Sequence, residues 1–268
     1  MRTHEYITRM ISLPGLIGFV AVGIALGLLG GGGSILAVPV LVHLMDLPAR
    51  VAVPMSLPVV GIASAAGAFA RWRRGQLRLD MVVLFSVCAM GSSYLAARIG
   101  TDIPDRPRLI LFAVVMLVAS ALMWRRSSRQ PAAADAPVPV VDAAPLKVIP
   151  VALAVGVLTG LVGVGGGFLI VPALAGVLGL PMAAATATSL AVIALNTAAA
   201  GAGWIGRVSL DWTLTAVVTG AALVGMAIGT QLAPRFSART LTRAFAVLLL
   251  LLAAFMLFQE FRTPGPVH

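Results

Sequence analysis

Charged residues are scarce in this sequence: they make up 10% of its 268 residues, whereas a soluble domain carries about 25%. This scarcity excludes an ordinary soluble globular protein. The lone cysteine, Cys88, excludes an intramolecular disulfide, and the sequence has no His and Cys cluster with the spacing of a metal site. Hydrophobic residues make up 60%, and the mean hydropathy is +1.03. Apolar runs long enough for a bilayer core of about 30 Å recur along the chain. The composition predicts an all-α polytopic membrane protein.

Acidic residues are scarcer than basic ones, at 9 against 19, which gives a net charge of +10. Many of the basic residues lie in short segments between apolar runs, as in "RWRRGQLR" (residues 71–78) and "RRSSR" (residues 125–129). This distribution is typical of cytoplasmic loops in membrane proteins, where Lys and Arg accumulate. The positive charge therefore does not indicate a nucleic-acid partner.

The chain consists of two copies of one unit. "GLLGGGGSILAVPVL" from Gly27 resembles "GLVGVGGGFLIVPAL" from Gly160, and Pro39 matches Pro172 at an offset of 133 residues. At the same offset, "FAVVMLVASALM" from residue 112 matches "FAVLLLLLAAFM" from residue 245. These matches predict a first transmembrane repeat at residues 10–124 and a second at residues 148–262. Residues 125–147, rich in Pro and Ala, are interpreted as a flexible hydrophilic linker.

Each copy is predicted to contain one interrupted apolar segment followed by three plain spans. The interrupted segments are residues 16–45 and 149–178. The spans are residues 50–70, 80–99 and 107–124 in the first copy, and residues 184–204, 211–232 and 243–260 in the second. The interruption is a discontinuous or re-entrant helix, because the glycines fall where a helix should continue.

The charges of the loops indicate how the two copies are oriented in the membrane. Residues 71–80 carry +3 and residues 98–108 carry +1 in the first copy, whereas residues 204–211 carry zero and residues 233–243 carry +3 in the second. Because strongly basic loops stay in the cytoplasm, this swap favours inverted repeats, each with three crossings and a glycine hairpin that does not cross. A parallel arrangement with four crossings per copy remains the alternative.

The repeated glycines are interpreted as a substrate site. A glycine break exposes N–H groups at the start of the next half-helix, and these groups with the helix dipole attract an anion. The candidate substrate-binding residues are the glycines and the neighbouring hydroxyls and amide, with two prolines as helix breaks or kinks: Gly30, Gly32, Gly33, Ser34, Ser56, Gly163, Gly165, Gly166, Gly167, Thr188, Ser189 and Asn196, with Pro39 and Pro172. Close helix packing through small residues is the competing interpretation.

The duplicated motif resembles a known family. A "GxGGG" segment followed by "VP", then "LP" and a "TSL"-like stretch, is similar to the sulfite exporter TauE/SafE family of membrane permeases. The second copy, with "ATATSLAVI", is the better match, whereas the first departs from it with "PMSLPVV". The resemblance implies a secondary transporter that exports small sulfur oxyanions, organosulfonates or carboxylates across the cell (inner) membrane.

The function expected from these observations is a secondary transporter of small anions, with an anion channel or passive pore as the alternative. The sequence shows no catalytic dyad, metal set or cofactor motif, so an enzyme is not expected, and neither is a cofactor. The expected partners are a small anionic substrate and the lipid bilayer, and homo-oligomer formation is left open.

Overall fold

The computed structural model describes residues 13–99, 105–129, 145–162, 167–202 and 210–262. Within these segments the chain forms helices, and the described connections between helices, such as residues 44–48 and 73–78, are short. The first half contains α1 (Leu13–Leu29), α2 (Ser34–His43), α3 (Ala49–Trp72), α4 (Leu79–Ile99) and α5 (Asp105–Arg129). The second contains α6 (Pro145–Val162), α7 (Gly167–Val171), α8 (Met182–Ala202), α9 (Trp212–Leu232) and α10 (Ala238–Arg262). A 3₁₀ turn, Gly30–Gly33, joins α1 to α2, and a π-helical segment, Pro172–Val177, continues α7.

The helices have the length and surface of a membrane protein. Within the described residues, six helical stretches are long and apolar enough to cross a bilayer: Leu13–His43, Val51–Trp72, Leu79–Ala96, Met182–Gly201, Trp212–Arg235 and Ala238–Phe255. Large apolar side chains such as Ile17, Val87 and Leu251 lie exposed on their outer faces, where lipid would cover them. The predicted all-α polytopic membrane class is therefore confirmed.

The first of these stretches folds back on itself at the glycine turn. A Cβ placed on Gly18, near the start of α1, would lie 2.9 Å from Cγ1 of Val40, near the end of α2. A Cβ on Gly33 would lie 2.8 Å from the carbonyl oxygen of Val22, eleven residues earlier. In a straight helix, residues eleven apart are separated by about 16 Å along the axis. The α1 and α2 helices therefore form an antiparallel hairpin.

The α1 helix packs closely against α9, with glycines on both sides. Gly23 and Gly27 of α1 are four residues apart, as are Gly225 and Gly229 of α9. A Cβ on Gly225 would collide with the carbonyl oxygen of Val20, and a Cβ on Gly229 would lie 3.0 Å from the Cα of Gly27. The contacts advance in the same direction along both helices, so the two run parallel. Small residues at this spacing let membrane helices approach backbone to backbone.

The same packing recurs between α6 and α4. Gly156 of α6 faces the backbone of Ala89 in α4, as Gly23 of α1 faces the backbone of Ala222 in α9. Residues 23 and 156, and residues 89 and 222, are each 133 positions apart, which is the offset of the sequence repeat. The first helix of each half thus packs on the fourth helix of the other half.

Two pairs of long helices that correspond between the halves, α3 with α8 and α5 with α10, contact each other in antiparallel orientation. Between α3 and α8, a Cβ on Gly61 would lie 2.7 Å from Oγ1 of Thr197, and a Cβ on Gly67 would lie 3.1 Å from Cδ1 of Leu190. The later residue of α3 thus contacts the earlier residue of α8, so the two helices are antiparallel.

The α5 and α10 helices follow the same rule. The hydroxyl of Ser120 donates to the carbonyl oxygen of Ala246 at 2.7 Å, and Nε of Arg243 donates to the hydroxyl of Ser127 at 3.3 Å. The later residue of α5 thus pairs with the earlier residue of α10, so these helices are also antiparallel.

The observed helix boundaries fall within a few residues of the predicted spans, with two extensions. The α10 helix begins at Ala238, five residues before the predicted start of its span. The α5 helix continues to Arg129 and α6 begins at Pro145, so helix occupies both ends of the segment predicted as a linker. Residues 130–144 lie outside the described part of the chain.

Replacing Gly225 with valine is expected to destabilise the protein, because the side chain would meet the α1 backbone at Val20, which cannot move aside like a flexible side chain. Overpacking of this kind costs about 1–3 kcal/mol, or roughly 3–10 °C in Tm. Gly220→Val is the matched control, since a Cβ on Gly220 of the same helix has open space around it. Thermal unfolding of both purified variants measures the effect, and equal Tm values would contradict the packing described.

Candidate functional site

The glycine turn of the first half meets the start of α7 in the second half. A Cβ on Gly31 would collide with the carbonyl oxygen of Gly167, and a Cβ on Gly167 would lie 2.8 Å from Oγ of Ser34. Ile193 of α8 lies beside both glycines. Gly30 to Gly33 and Gly167 are all buried. Two glycine-rich segments from opposite halves are therefore in backbone contact inside the protein.

Gly30 is the residue at which the chain leaves α1. Its φ of +71° lies in the left-handed region that favours glycine, and a left-handed glycine directly after the last helical residue is a common way for a helix to end. A Cβ here would also lie 2.6 Å from Cγ2 of Thr186 and 2.7 Å from Oγ of Ser189. Conformation and space thus both require glycine at this position.

Gly32 and Gly33 face apolar neighbours on the other side of the turn. A Cβ on Gly32 would lie 2.7 Å from the ring of Phe245 in α10, and a Cβ on Gly33 would press on the backbone of Leu26. These two glycines allow the turn to pack tightly against α1 and α10. For them, the interpretation as packing residues has direct support.

Ser34 opens α2 at the point of contact between the halves. Its hydroxyl donates to the carbonyl oxygen of Gly31 at 2.6 Å, within the turn. Gly33, which precedes it, has no side chain with which to cap the helix. The backbone N–H of Ser34 also donates to the carbonyl oxygen of Gly31, so the 3₁₀ turn leads directly into α2. The first N–H groups of a helical segment have no partner within it, and here they belong to the glycine turn, where the helix dipole adds positive potential. The start of α2 is therefore suited to a negatively charged group.

The α8 helix carries buried hydroxyl and amide groups, of which Ser189 contacts the turn. Ser189 Oγ, which lies next to Gly30, donates to the carbonyl oxygen of Thr186 at 2.9 Å. Thr188 is fully buried, and its Oγ1 has no hydrogen-bond partner among the described residues. The same holds for Oδ1 of Asn196, two turns further along. A buried polar group without a partner is costly. The hydroxyl of Thr188 can donate a hydrogen bond to a solute, whereas Oδ1 of Asn196 can only accept one.

The structure brings together Gly30, Ser34, Gly167 and Ser189 of the predicted site. Ser56 lies on α3, where its hydroxyl donates to the carbonyl oxygen of Val53 at 2.8 Å, and the described contacts do not connect it to the turn. Gly163, Gly165 and Gly166 lie outside the described residues. Pro39 lies inside α2, and Pro172 begins the π-helical segment after α7.

Arg71, near the end of α3, is a residue that sequence reasoning missed. Its side chain is buried, and Nη2 donates to the carbonyl oxygen of Gly27 at 2.5 Å, three residues before Gly30. Its Nε has no hydrogen-bond partner, and the side chain has no carboxylate partner, among the described residues. In the sequence, Arg71 is the first residue of the basic segment "RWRRGQLR" and was therefore counted with the loop arginines. Helical spacing from the buried Ser64 and Gly67 was the signal that could have singled it out.

The helical fold with its lipid-facing surface and buried polar centre defines the class of a polytopic membrane protein. Comparison with known families then gives the family: the model of the sulfite exporter TauE/SafE family matches residues 15–256. The chain belongs to this family. The resemblance seen in the sequence and the prediction of a multi-pass protein of the cell (inner) membrane are thereby confirmed.

Curated relatives carry names of the same kind. A "Probable membrane transporter protein" of Xylella fastidiosa strain 9a5c is 31% identical over 261 residues, covering 96% of this chain and 97% of the relative. The "Probable membrane transporter protein YdhB" of Bacillus subtilis strain 168 is 28% identical over 235 residues, covering 85% and 96%. No solved structure matches the chain. Family and relatives indicate a membrane transporter and not an enzyme.

Proposed function

We propose that the protein is a secondary transporter, and specifically an exporter, of small sulfur-containing or carboxylate anions. The observation that carries this proposal is the contact between the glycine turn and Gly167, which joins two bare backbone segments from opposite halves. The family match supports the transport of sulfur oxyanions. The anion rests near the bilayer midplane, held by backbone N–H groups at the starts of α2 and α7.

The proposed site also includes polar side chains from α8 and from the repeat-related positions. Ser34, Thr188, Ser189 and Asn196 complete the shell around the anion. Ser56 is included because it is the counterpart of Ser189 at the 133-residue offset. Gly163, Gly165 and Gly166 are included because they are the counterparts of Gly30, Gly32 and Gly33.

We infer further that the two copies, residues 10–124 and 148–262, are inverted repeats. The antiparallel packing of α3 on α8 and of α5 on α10 supports this arrangement, because parallel repeats would place corresponding helices in the same direction. The α1–α2 hairpin supports it too, since a hairpin that does not cross leaves three spans in the first copy. Each copy then ends on the membrane face opposite to the one where it began.

The inverted arrangement assigns the two membrane faces. The face that carries residues 73–78, the linker and residues 233–237 receives 11 of the 19 basic residues and 3 of the 9 acidic residues, counted to the nearest helix end. Positive residues accumulate on the cytoplasmic side. This face is therefore cytoplasmic, and both termini lie on the outer face.

Cysteine labelling in intact cells tests the arrangement. In a Cys88→Ala background, a membrane-impermeant maleimide is expected to label Thr3→Cys from outside, and Ala133→Cys only after permeabilisation. Three crossings per copy place the N-terminus and the linker on opposite faces, whereas four crossings place them on the same face. Equal labelling of both positions in intact cells would contradict the inverted repeats.

Flux measurements with the purified protein test the transport function. Proteoliposomes loaded with sulfite, thiosulfate, sulfoacetate, taurine or a simple carboxylate are expected to show saturable, gradient-coupled flux for a sulfur-containing or carboxylate anion, and none for zwitterionic taurine. Flux that rises linearly with concentration and passes many unrelated anions would instead identify a passive pore. Absence of flux for every anion tested would contradict the proposal.

A further inference from the structure

We propose that a basic cavity between α5 and the π-helical segment binds the phosphate group of an anionic phospholipid from the cytoplasmic leaflet. The cavity has a volume of about 380 Å³ and is lined by Leu122, Arg125, Arg126 and Gly176. It is separate from the glycine turn, and the proposal does not depend on which solute is transported. Its position on the cytoplasmic face does rest on the inverted arrangement inferred above.

Arg126 is fixed in place at the wall of this cavity. Its Nη2 donates to the carbonyl oxygens of Gly179 and Leu180, at 2.9 Å each, in the connection between the π-helical segment and α8. Its Nε is buried and has no hydrogen-bond partner among the described residues. The two carbonyl groups hold the guanidinium in place, and the half-buried side chain lines the cavity, so the part of the guanidinium that faces the cavity can donate to an acceptor there. Phosphate oxygens are strong acceptors for such a group.

Arg125 supplies a second charge at the same cavity. It is exposed, so its guanidinium can move to meet a ligand. Two guanidiniums at one cavity match a phosphodiester, whose two free oxygens share one negative charge. Arg243 lies close by, with its guanidinium 5.8 Å from the centre of the Trp124 ring and its Nε bonded to Ser127. The positive potential around the cavity therefore extends beyond its wall to Arg243.

The surroundings of the cavity favour a lipid over a soluble phosphate. Leu122, Trp124 and Val177 are exposed apolar side chains on the elements that form it. Trp124 next to arginines is typical of the membrane–water interface. A ligand with a phosphate and acyl chains would satisfy the arginines and cover the apolar side chains together.

The repeat provides an internal comparison. At the 133-residue offset, the counterparts of Leu122, Arg125 and Arg126 are Phe255, Phe258 and Gln259, and the counterpart of Gly176 is His43. The positions on the outer face that correspond to the cavity lining thus lack both arginines. Because the two halves otherwise share their packing, the arginines are a feature of one membrane face. This asymmetry is expected for a ligand of one leaflet, since anionic lipids concentrate in the cytoplasmic leaflet.

Native mass spectrometry of the full-length protein in detergent tests the site. Phosphatidylglycerol and phosphatidylcholine of identical chains are titrated in parallel, with inorganic phosphate as a third arm. The wild type is expected to retain phosphatidylglycerol more strongly than phosphatidylcholine. Arg125→Gln and Arg126→Gln are each expected to weaken this retention about fivefold, and the double variant about 25-fold. Arg73→Gln/Arg235→Gln, which removes two exposed arginines of the same face, should bind like the wild type.

Several results would overturn the proposal. They are equal retention of the two lipids, unchanged retention in Arg125→Gln/Arg126→Gln, and an equal loss in the control double variant. Retention of inorganic phosphate, with none of phosphatidylglycerol, would overturn the lipid assignment. If Arg126→Gln does not fold because the contacts with Gly179 and Leu180 are lost, Arg125→Gln alone decides the matter, since Arg125 is exposed.

Discussion

Valine at position 31 is expected to abolish anion transport while leaving the protein inserted in the membrane. The Cβ of Gly31→Val would occupy the place of the Gly167 carbonyl oxygen, so the two backbone segments must separate. Separation moves the first N–H groups of α2 and α7 away from a shared anion. A hydrogen bond to a charged group contributes about 1.5–3 kcal/mol, so the loss of two weakens binding by about 100-fold or more.

The matched control for this prediction is Gly91→Val in α4. A Cβ on Gly91 has open space around it, so the same substitution changes helix propensity without touching the site. Gly31→Ala adds the same Cβ without the two methyl groups and should give an intermediate loss. Flux into proteoliposomes measures the effect, with expression level and gel-filtration profile reporting on insertion. Wild-type flux in Gly31→Val would show that the turn is a packing feature.

Loss of the Arg71 guanidinium is expected to reduce anion transport more than tenfold. Its hydrogen bond to Gly27 ties the end of α3 to the last turn of α1, directly before the glycine turn. Removal leaves that buried carbonyl oxygen without its donor, at a cost of about 1–3 kcal/mol. It also removes a buried positive charge that lacks a carboxylate partner among the described residues, and such a charge attracts an anion strongly in a low dielectric.

Two variants separate these contributions of Arg71. Arg71→Gln removes the charge and is expected to raise the KM for the anion, whereas Arg71→Lys keeps the charge and should recover part of the affinity. Arg73→Gln is the control, because Arg73 is exposed two residues further along. An unchanged KM in Arg71→Gln, accompanied by a lower Tm, would indicate that Arg71 only connects the two helices.

Most of the helix positions could be predicted from the sequence. Apolar runs, separated by loop residues, predicted the membrane spans, because a helix in lipid must be long and apolar. The 133-residue offset also anticipated which contacts recur, as the pairs of Gly23 with Ala222 and of Gly156 with Ala89 illustrate. Asp211, directly before α9, caps that helix, and its carboxylate accepts the N–H of Leu214 at 3.0 Å, as a short acidic side chain at this position does.

The shape of the glycine segment and the burial of Arg71 depend on tertiary contacts, which the sequence does not show. Four glycines in a row are compatible with a straight broken helix and with a hairpin, and the positive φ of Gly30 together with the contact between Gly33 and Val22 distinguishes the two. The burial of Arg71 depends on its reaching Gly27, which is 44 residues away. Helical spacing from Ser64 and Gly67 can single out Arg71 as part of α3. Local patterns do not encode such distant pairs, so the contact of Arg71 with Gly27 could not be predicted.

Protection of a cysteine at position 34 tests the central claim most directly. In a Cys88→Ala background, the labelling rate of Ser34→Cys is measured with and without a saturating concentration of the anion that is transported best, and Thr219→Cys, a buried position on α9, serves as the control. The anion is expected to slow labelling at position 34 and to leave position 219 unchanged. Labelling at position 34 that is indifferent to the transported anion would contradict an anion site at the glycine turn.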